Sequence, residues 1–87
     1  MGNIEFARRV RAQISGLFSF YMGNSKHRPT NLEKSEYKKY CRVIQEWYES
    51  EQDKAIKKEL KQILKELQDK DLTLIVDMRK KARGLNG

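Results

Sequence analysis

The chain of 87 residues is basic, with 19 Lys and Arg against 12 Asp and Glu and a net charge of +7. For a chain of this length we expect at most one small domain with a thin core, and a hydrophobic content of 38% is too high for a fully disordered chain. The single cysteine excludes an internal disulfide, and one cysteine with one histidine excludes a metal site built from those two residue types.

The first predicted helix runs from about Asn3 to Tyr21. Its apolar residues recur at spacings of three and four, as expected for one face of an amphipathic helix. That face consists of Ile4, Ala7, Val10, Ile14, Leu17, Phe18 and Tyr21. Gly16 weakens this helix locally, and we expect it to let another backbone approach closely.

A loop over residues 23–29, with the sequence GNSKHRP, separates the first helix from the second. Thr30 is predicted to cap the second helix, and Glu33 completes a capping box three residues later. An aromatic row on this helix consists of Tyr37, Tyr40, Cys41, Ile44, Trp47 and Tyr48. We interpret the row as core or helix interface with tyrosine hydroxyls at its edge, and not as a base-stacking surface. The reason is that the basic residues that alternate with it in the sequence fall on the opposite face.

A second break is expected between residues 50 and 53. At about 100° per residue, the apolar face of residues 56–67 is rotated by more than a right angle from that of residues 37–48. A straight helix cannot point both rows at one core, so the chain must turn between them. Ser50 or Asp53 is expected to cap the third helix, which follows this turn.

The C-terminal third permits two arrangements. Asp69 and Asp71 interrupt the apolar pattern, which favours a break there and a fourth helix that Gly84 ends. The apolar spacing also permits one helix from about residue 54 to residue 83. We therefore predict one small helical domain over residues 1–87, an all-α compact bundle of three or four helices. The last two helices are either separate or joined into one long helix.

One row of lysines is the clearest functional feature of the third predicted helix. This lysine row consists of Lys54, Lys58, Lys61 and Lys65. At about 100° per residue the four side chains fall inside an arc of roughly 60°, opposite the apolar face. Lysines at helical spacing can follow the phosphates of a nucleic acid, which makes affinity strongly salt-dependent. The alternative is a solvated face whose lysines pair with Glu59 and Glu66.

Two further basic groups are candidates for the same surface. The C-terminal basic run consists of Arg79, Lys80, Lys81 and Arg83. It either extends a phosphate-binding surface or stabilises a helix end through the helix dipole. A secondary basic cluster consists of Arg8, Arg9, Arg11, Lys26 and Arg28. Arginine binds phosphate through two parallel N–H groups, which makes its three arginines in the first helix the stronger part of that cluster.

Non-enzymatic nucleic-acid binding is the function that these features favour. His27 lies in a polar loop and Cys41 on an apolar face, and neither has the spacing to a carboxylate or histidine that a catalytic triad needs. The sequence contains no glycine-rich phosphate loop, no HExxH and no paired-cysteine motif. We therefore expect no enzymatic activity, no cofactor and no metal. The expected partner is DNA or RNA, bound without a residue that indicates readout of base sequence.

A protein-interaction module is the alternative function. An apolar seam at spacings of four and three consists of Leu60, Leu64, Leu67, Leu74 and Met78. Under this interpretation the protein is an adaptor, an inhibitor or a homodimer. The seam then meets a partner helix, and the basic faces match an acidic protein surface.

Membrane attachment is a third interpretation that the sequence supports only weakly. No apolar run reaches the roughly 18 residues of a membrane span, and the first twenty residues do not have the pattern of a signal peptide. Gly2 meets one requirement for myristoylation, but Phe6 stands where Ser or Thr is preferred. We expect an intracellular, cytoplasmic protein, with the nucleoid or nucleus as alternative locations.

Overall fold

All of the secondary structure in the described residues is helical. A computed structural model describes residues 3–24 and 26–86, with side chains up to residue 80. The helices are α1 (Ile4–Met22), α2 (Asn31–Ser50), α3 (Lys54–Asp69) and α4 (Ile75–Asn86), and a 3-10 turn (Leu72–Leu74) leads directly into α4. This confirms the predicted all-α bundle. It also decides between the two arrangements of the C-terminal third, because α3 ends at Asp69 and does not continue into α4 as one helix.

Polar side chains cap the start of each of the first three helices and of the 3-10 turn. Asn3, Asp53 and Asp71 each accept hydrogen bonds from backbone N–H groups two or three residues further on. Thr30 and Glu33 form the predicted capping box at the start of α2. Such side chains satisfy N–H groups that have no partner inside the helix, so they fix where each helix begins. Of the two predicted caps for α3, Asp53 is therefore the one used.

The core lies where the apolar faces of α1, α2 and α3 meet. It consists of Ala7, Val10, Ile14, Tyr21, Tyr37, Ile44, Trp47, Leu60, Ile63, Leu64, Leu67, Leu72 and Ile75. The three residues between α2 and α3 reverse the direction of the chain. The apolar faces of α2 and α3, which would point in different directions on one straight helix, therefore both face the same core. The aromatic row behaves as predicted, since Tyr37 and Trp47 are buried while Tyr40 and Tyr48 lie half-buried at its edges.

Two expectations about glycines are wrong. A Cβ atom placed on Gly16 would meet nothing within 4 Å, so no other backbone approaches this exposed position. Helix α4 continues through Gly84 to Asn86. The reason is that glycine permits a helix end without imposing one, since it lowers helix propensity by only about 1 kcal/mol. In the described part of the chain, no helix is both long enough and apolar enough to cross a membrane. Gly2 lies outside the described residues.

Candidate functional site

The lysine row forms one exposed face of α3. Lys54, Lys58, Lys61 and Lys65 are all solvent-exposed, and the opposite face of the same helix is buried in the core. The α-helical period produces this separation, because residues three, four and seven apart fall on the same side. The structure therefore brings the four lysines together as the sequence predicts.

The acidic residues of α3 that adjoin the lysine row point towards α1. Glu59 binds Arg8 through two contacts, with 2.6 Å between Nε and Oε2 and 3.0 Å between Nη2 and Oε1. Glu66 lies 3.7 Å from the Nε of Arg11. The hydrogen bond from Arg8 holds the pKa of Glu59 below its ordinary value. These two carboxylates are thus neutralised by arginines of α1 and not by the lysines beside them in the sequence.

The same ion pairs divide the secondary basic cluster. Arg8 and Arg11 are engaged with α3, and Arg8 also contacts Glu5 at 2.9 Å. Arg9 is exposed on α1, whereas Lys26 and Arg28 are exposed in the loop beyond the other end of that helix. At 1.5 Å per residue, the arginines and the loop are separated by roughly 20 Å along α1. The structure therefore does not gather the five residues into one surface.

Arg79, the first residue of the C-terminal basic run, ties α4 to the loop after α1. Its Nη1 donates to the backbone carbonyl oxygens of Tyr21, Asn24 and His27, at 3.2, 2.8 and 3.1 Å. This nitrogen therefore stabilises the fold, a role that sequence reasoning missed. Lys80 is exposed. The side chains of Lys81 and Arg83 lie outside the described residues.

The apolar seam of the alternative function is largely part of the protein's own core. Leu60, Leu64 and Leu67 are buried between the helices, with exposed fractions of 0%, 7% and 1%. Leu74 is 46% exposed, and Met78 is half-buried. The structure does not bring the five residues together on one exposed surface, so a partner helix would need another face of the protein.

A groove with an aromatic side chain in the middle runs between α2 and α3, beside the lysine row. One depression of about 240 Å³ is lined by Tyr48, Lys54, Lys57, Lys58 and Lys61. A second, of about 290 Å³, is lined by Gln45, Tyr48, Lys61, Leu64, Lys65 and Gln68. Because Tyr48 and Lys61 line both, the two depressions form one surface, which we call the α2–α3 groove. Lys57 extends over the ring of Tyr48, with its Nζ 5.1 Å from the ring centre.

Sequence reasoning did not assign a binding role to Gln45, Tyr48 or Gln68. Tyr48 belongs to the aromatic row, and periodicity alone did not show which end of that row stays accessible. The one sequence feature that could have pointed to Tyr48 is its position at the edge of the apolar face of α2. That position indicates a groove residue only when it is known that α3 packs along this edge. The lysines that line the groove come from the predicted row and from Lys57 beside it.

A second basic surface lies on the solvent face of α2. A depression of about 270 Å³ there is lined by Ser35, Lys38, Lys39 and Arg42. These residues are three, four and seven positions apart, so they share one helix face, opposite the buried Tyr37, Ile44 and Trp47. They come from one helix and enclose no apolar or aromatic group, which distinguishes this surface from the α2–α3 groove.

The residues with catalytic or metal-binding chemistry are dispersed. Exposed His27 lies beside the ring of Phe20, with 5.6 Å between ring centres. Burial raises the pKa of the Cys41 thiol, which disfavours the nucleophilic thiolate form. Among the residues whose positions are described, no three His, Cys, Asp or Glu side chains are grouped so that they could hold a metal ion.

Comparison with known proteins gives no relative from which a function could be transferred. No protein-family model, no curated protein and no solved structure matches this chain. The lysine row and the α2–α3 groove are therefore the surfaces on which a proposal about function can rest.

Proposed function

We propose that the protein binds nucleic acid, chiefly through phosphate contacts made by the lysine row on α3. Lys54, Lys58, Lys61 and Lys65 supply the cations, and no catalytic step is involved. An intracellular location, where nucleic acids are available, is part of the proposal. The C-terminal basic run contributes through Lys80, while the Nη1 of Arg79 is already occupied by backbone carbonyls.

The observation that supports this most is the position of the acidic side chains. Glu59 and Glu66 lie on the side of α3 that packs against α1, where they face Arg8 and Arg11. Within residues 3–24 and 26–80, every ion pair between side chains uses an arginine and none uses a lysine. The positive charge of the lysine row is therefore not cancelled locally, and an anionic partner is the simplest source of countercharge.

Phosphate is favoured over other anions because of the spacing of the cations. Successive members of the lysine row are three or four residues apart, which places them about 5–6 Å from one another along α3. A polynucleotide offers negative charges at a similar repeat, so several lysines can be engaged by one strand at once. Each contact releases a condensed counterion, which is the source of the favourable free energy and of its dependence on salt.

The experiment is a titration of labelled duplex DNA, structured RNA and single-stranded DNA, followed by fluorescence anisotropy at about 50 and 200 mM salt. Four phosphate contacts correspond to a slope of about −3.6 in log affinity against log salt for a duplex, so affinity should fall roughly 100-fold across this range. Replacing the four lysines of the row by glutamine should abolish most of this slope.

The matched control removes the same charge elsewhere. It carries four glutamine substitutions, at Arg9, Lys26, Arg28 and Lys34, none of which lines the α2–α3 groove. If the control loses as much of the slope as the row variant, net charge drives binding and the lysine row is not the site. If the wild-type protein binds none of the three nucleic acids at about 50 mM salt, the proposal fails. An acidic protein surface then becomes the partner to seek.

A further inference from the structure

The α2–α3 groove contains more than cations. Tyr48 stands at its centre, Leu64 adds an apolar patch, and the amides of Gln45 and Gln68 lie at one end. None of the residues that line the two depressions is acidic. A surface that only had to attract phosphates would not need an accessible aromatic ring, so this combination calls for a ligand with both charged and planar parts.

We infer that the α2–α3 groove binds single-stranded nucleic acid, with one unpaired base stacked against Tyr48. This inference rests on the proposed function, since the lysine row supplies the phosphate contacts. It adds that the strand is unpaired where it crosses the groove. In a duplex the faces of the bases are covered by their neighbours, so no ring of a protein side chain can stack on them without disrupting the helix.

The dimensions and chemistry of the groove suit a nucleotide. Its two depressions, of about 240 and 290 Å³, meet at Tyr48 and Lys61, so a base beside the ring has lysines on its flank. Gln45 makes one long hydrogen bond of 3.4 Å to Glu49, which leaves its amide able to turn towards a base edge. The groove thus offers a stacking surface, an amide for the base edge and cations for the backbone, supplied by side chains of α2 and α3.

Lys57 covers one face of the Tyr48 ring in the free protein, with its Nζ 5.1 Å from the ring centre. Both side chains are only half-buried, so this cation–π contact is modest, and the lysine side chain is long and flexible. A base that enters the groove replaces the ammonium group over the ring. The displaced Lys57 then joins Lys58 and Lys61 among the cations available to the strand.

The decisive comparison needs no variant. The wild-type protein is titrated with a labelled oligothymidylate of about 15 nucleotides, with an abasic strand of the same length, and with a duplex of that length. Oligouridylate is included to show whether the sugar matters. A stacked base should make the thymidylate bind about 5- to 100-fold more tightly than the abasic strand, which has the same phosphates and no bases.

Substitutions at Tyr48 test whether this residue provides the stacking. Y48F keeps the ring and should retain the preference for bases, whereas Y48L removes the ring and should lose it. Y40L is the matched control, because Tyr40 is also half-buried on α2 but packs against Phe6 of α1, at the other edge of the aromatic row. Thermal unfolding establishes that each variant is folded before its affinity is measured.

The outcomes separate the two proposals. Equal affinity for thymidylate and abasic strands overturns base stacking and leaves phosphate binding standing. Tighter binding of the duplex than of either single strand also overturns it. Loss of the base preference in Y40L as well as in Y48L places the base elsewhere and overturns the role of Tyr48. No binding of any strand at about 50 mM salt overturns the proposed function together with this inference.

Discussion

The hydroxyl of Tyr37 donates a hydrogen bond of 2.5 Å to the backbone carbonyl oxygen of Leu67, thirty residues further along the chain. This bond joins the first half of α2 to the last turn of α3, where carbonyl groups lack the N–H partner four residues later that an α-helix provides. Burial raises the pKa of Tyr37 far above its ordinary value. The contact keeps the two walls of the α2–α3 groove in a fixed relation at one end.

Replacing Tyr37 by phenylalanine should lower the free energy of unfolding by about 1 kcal/mol. The reason is that the bond to Leu67 is lost while the ring stays in the core. The cost stays modest because the Leu67 carbonyl also accepts from the N–H of Lys70, at 3.3 Å. Urea unfolding followed by circular dichroism measures the change. Y40F is the control, and equal destabilisation by both variants would contradict a special role for the Tyr37 hydroxyl.

Leucine-to-alanine substitutions distinguish core from partner surface in the apolar seam. Leu67 is 1% exposed and Leu74 is 46% exposed. We expect L67A to cost about 2–5 kcal/mol through lost burial and cavity formation. L74A should cost less than about 0.5 kcal/mol in a monomer. Sedimentation of both variants at several protein concentrations is the second measurement. If the wild-type protein is a dimer and the L74A variant is a monomer, the exposed part of the seam is an interface.

Gly16 offers a stabilising substitution. It lies inside α1, is exposed, and a Cβ atom there would meet nothing within 4 Å. Alanine should therefore raise the free energy of unfolding by about 0.5–1 kcal/mol, because it restores helix propensity without a clash. Gly23 is the comparison, since its Cβ would lie 3.3 Å from the Ser19 carbonyl oxygen and alanine there should gain less. A destabilised G16A would mean that another part of the protein approaches this face of α1.

The features predicted from the sequence are those encoded over short distances along the chain. The Thr30–Glu33 capping box, the turn before Asp53 and the lysine row each follow from residues within about two helical turns. The contacts that sequence reasoning missed join distant segments. Glu59 pairs with an arginine 51 positions earlier, and Arg79 reaches carbonyl groups 52 to 58 positions earlier. These contacts depend on how the helices pack against one another in three dimensions, and the periodicity of apolar residues within one helix does not determine that packing.

Stability should fall in acid because carboxylates are held in their charged form by the fold. The hydroxyl of Tyr21 and the backbone N–H of Thr30 both donate to Glu33, which lowers its pKa from 4.5. The pKa values of Glu51 and Glu59 are lowered in the same direction. A carboxylate whose pKa is lower in the folded state than in the unfolded state stabilises the folded state at pH values above its ordinary pKa. This contribution is lost as the pH falls through the lowered pKa. The urea midpoint should therefore decrease steadily as pH falls from about 5 towards 3.

The variant E33Q tests the part of this pH dependence that belongs to Glu33. Both hydrogen bonds reach the same carboxylate oxygen, Oε1, at 2.6 and 2.9 Å, so the single carbonyl oxygen of glutamine can accept them. The variant should retain most of its stability near pH 3. Its urea midpoint should decrease less between about pH 5 and 3 than that of the wild type. Glu46→Gln removes the same charge from α2 outside these hydrogen bonds and serves as the control. An unchanged slope in E33Q would assign the acid sensitivity to other groups.

Arg79 should prove to be structural, whereas its neighbour Lys80 should not. R79M keeps much of the stem and removes the guanidinium that bridges the carbonyls of Tyr21, Asn24 and His27. Hydrogen bonds from a charged donor are worth about 1.5–3 kcal/mol, so we expect a loss of unfolding free energy of about 1–3 kcal/mol. Amide hydrogen exchange should also accelerate in the loop after α1. K80M removes the same charge from an exposed position on α4 and should change stability by less than about 0.5 kcal/mol. Equal unfolding midpoints for R79M and the wild type would show that these three contacts do not hold α4 in place.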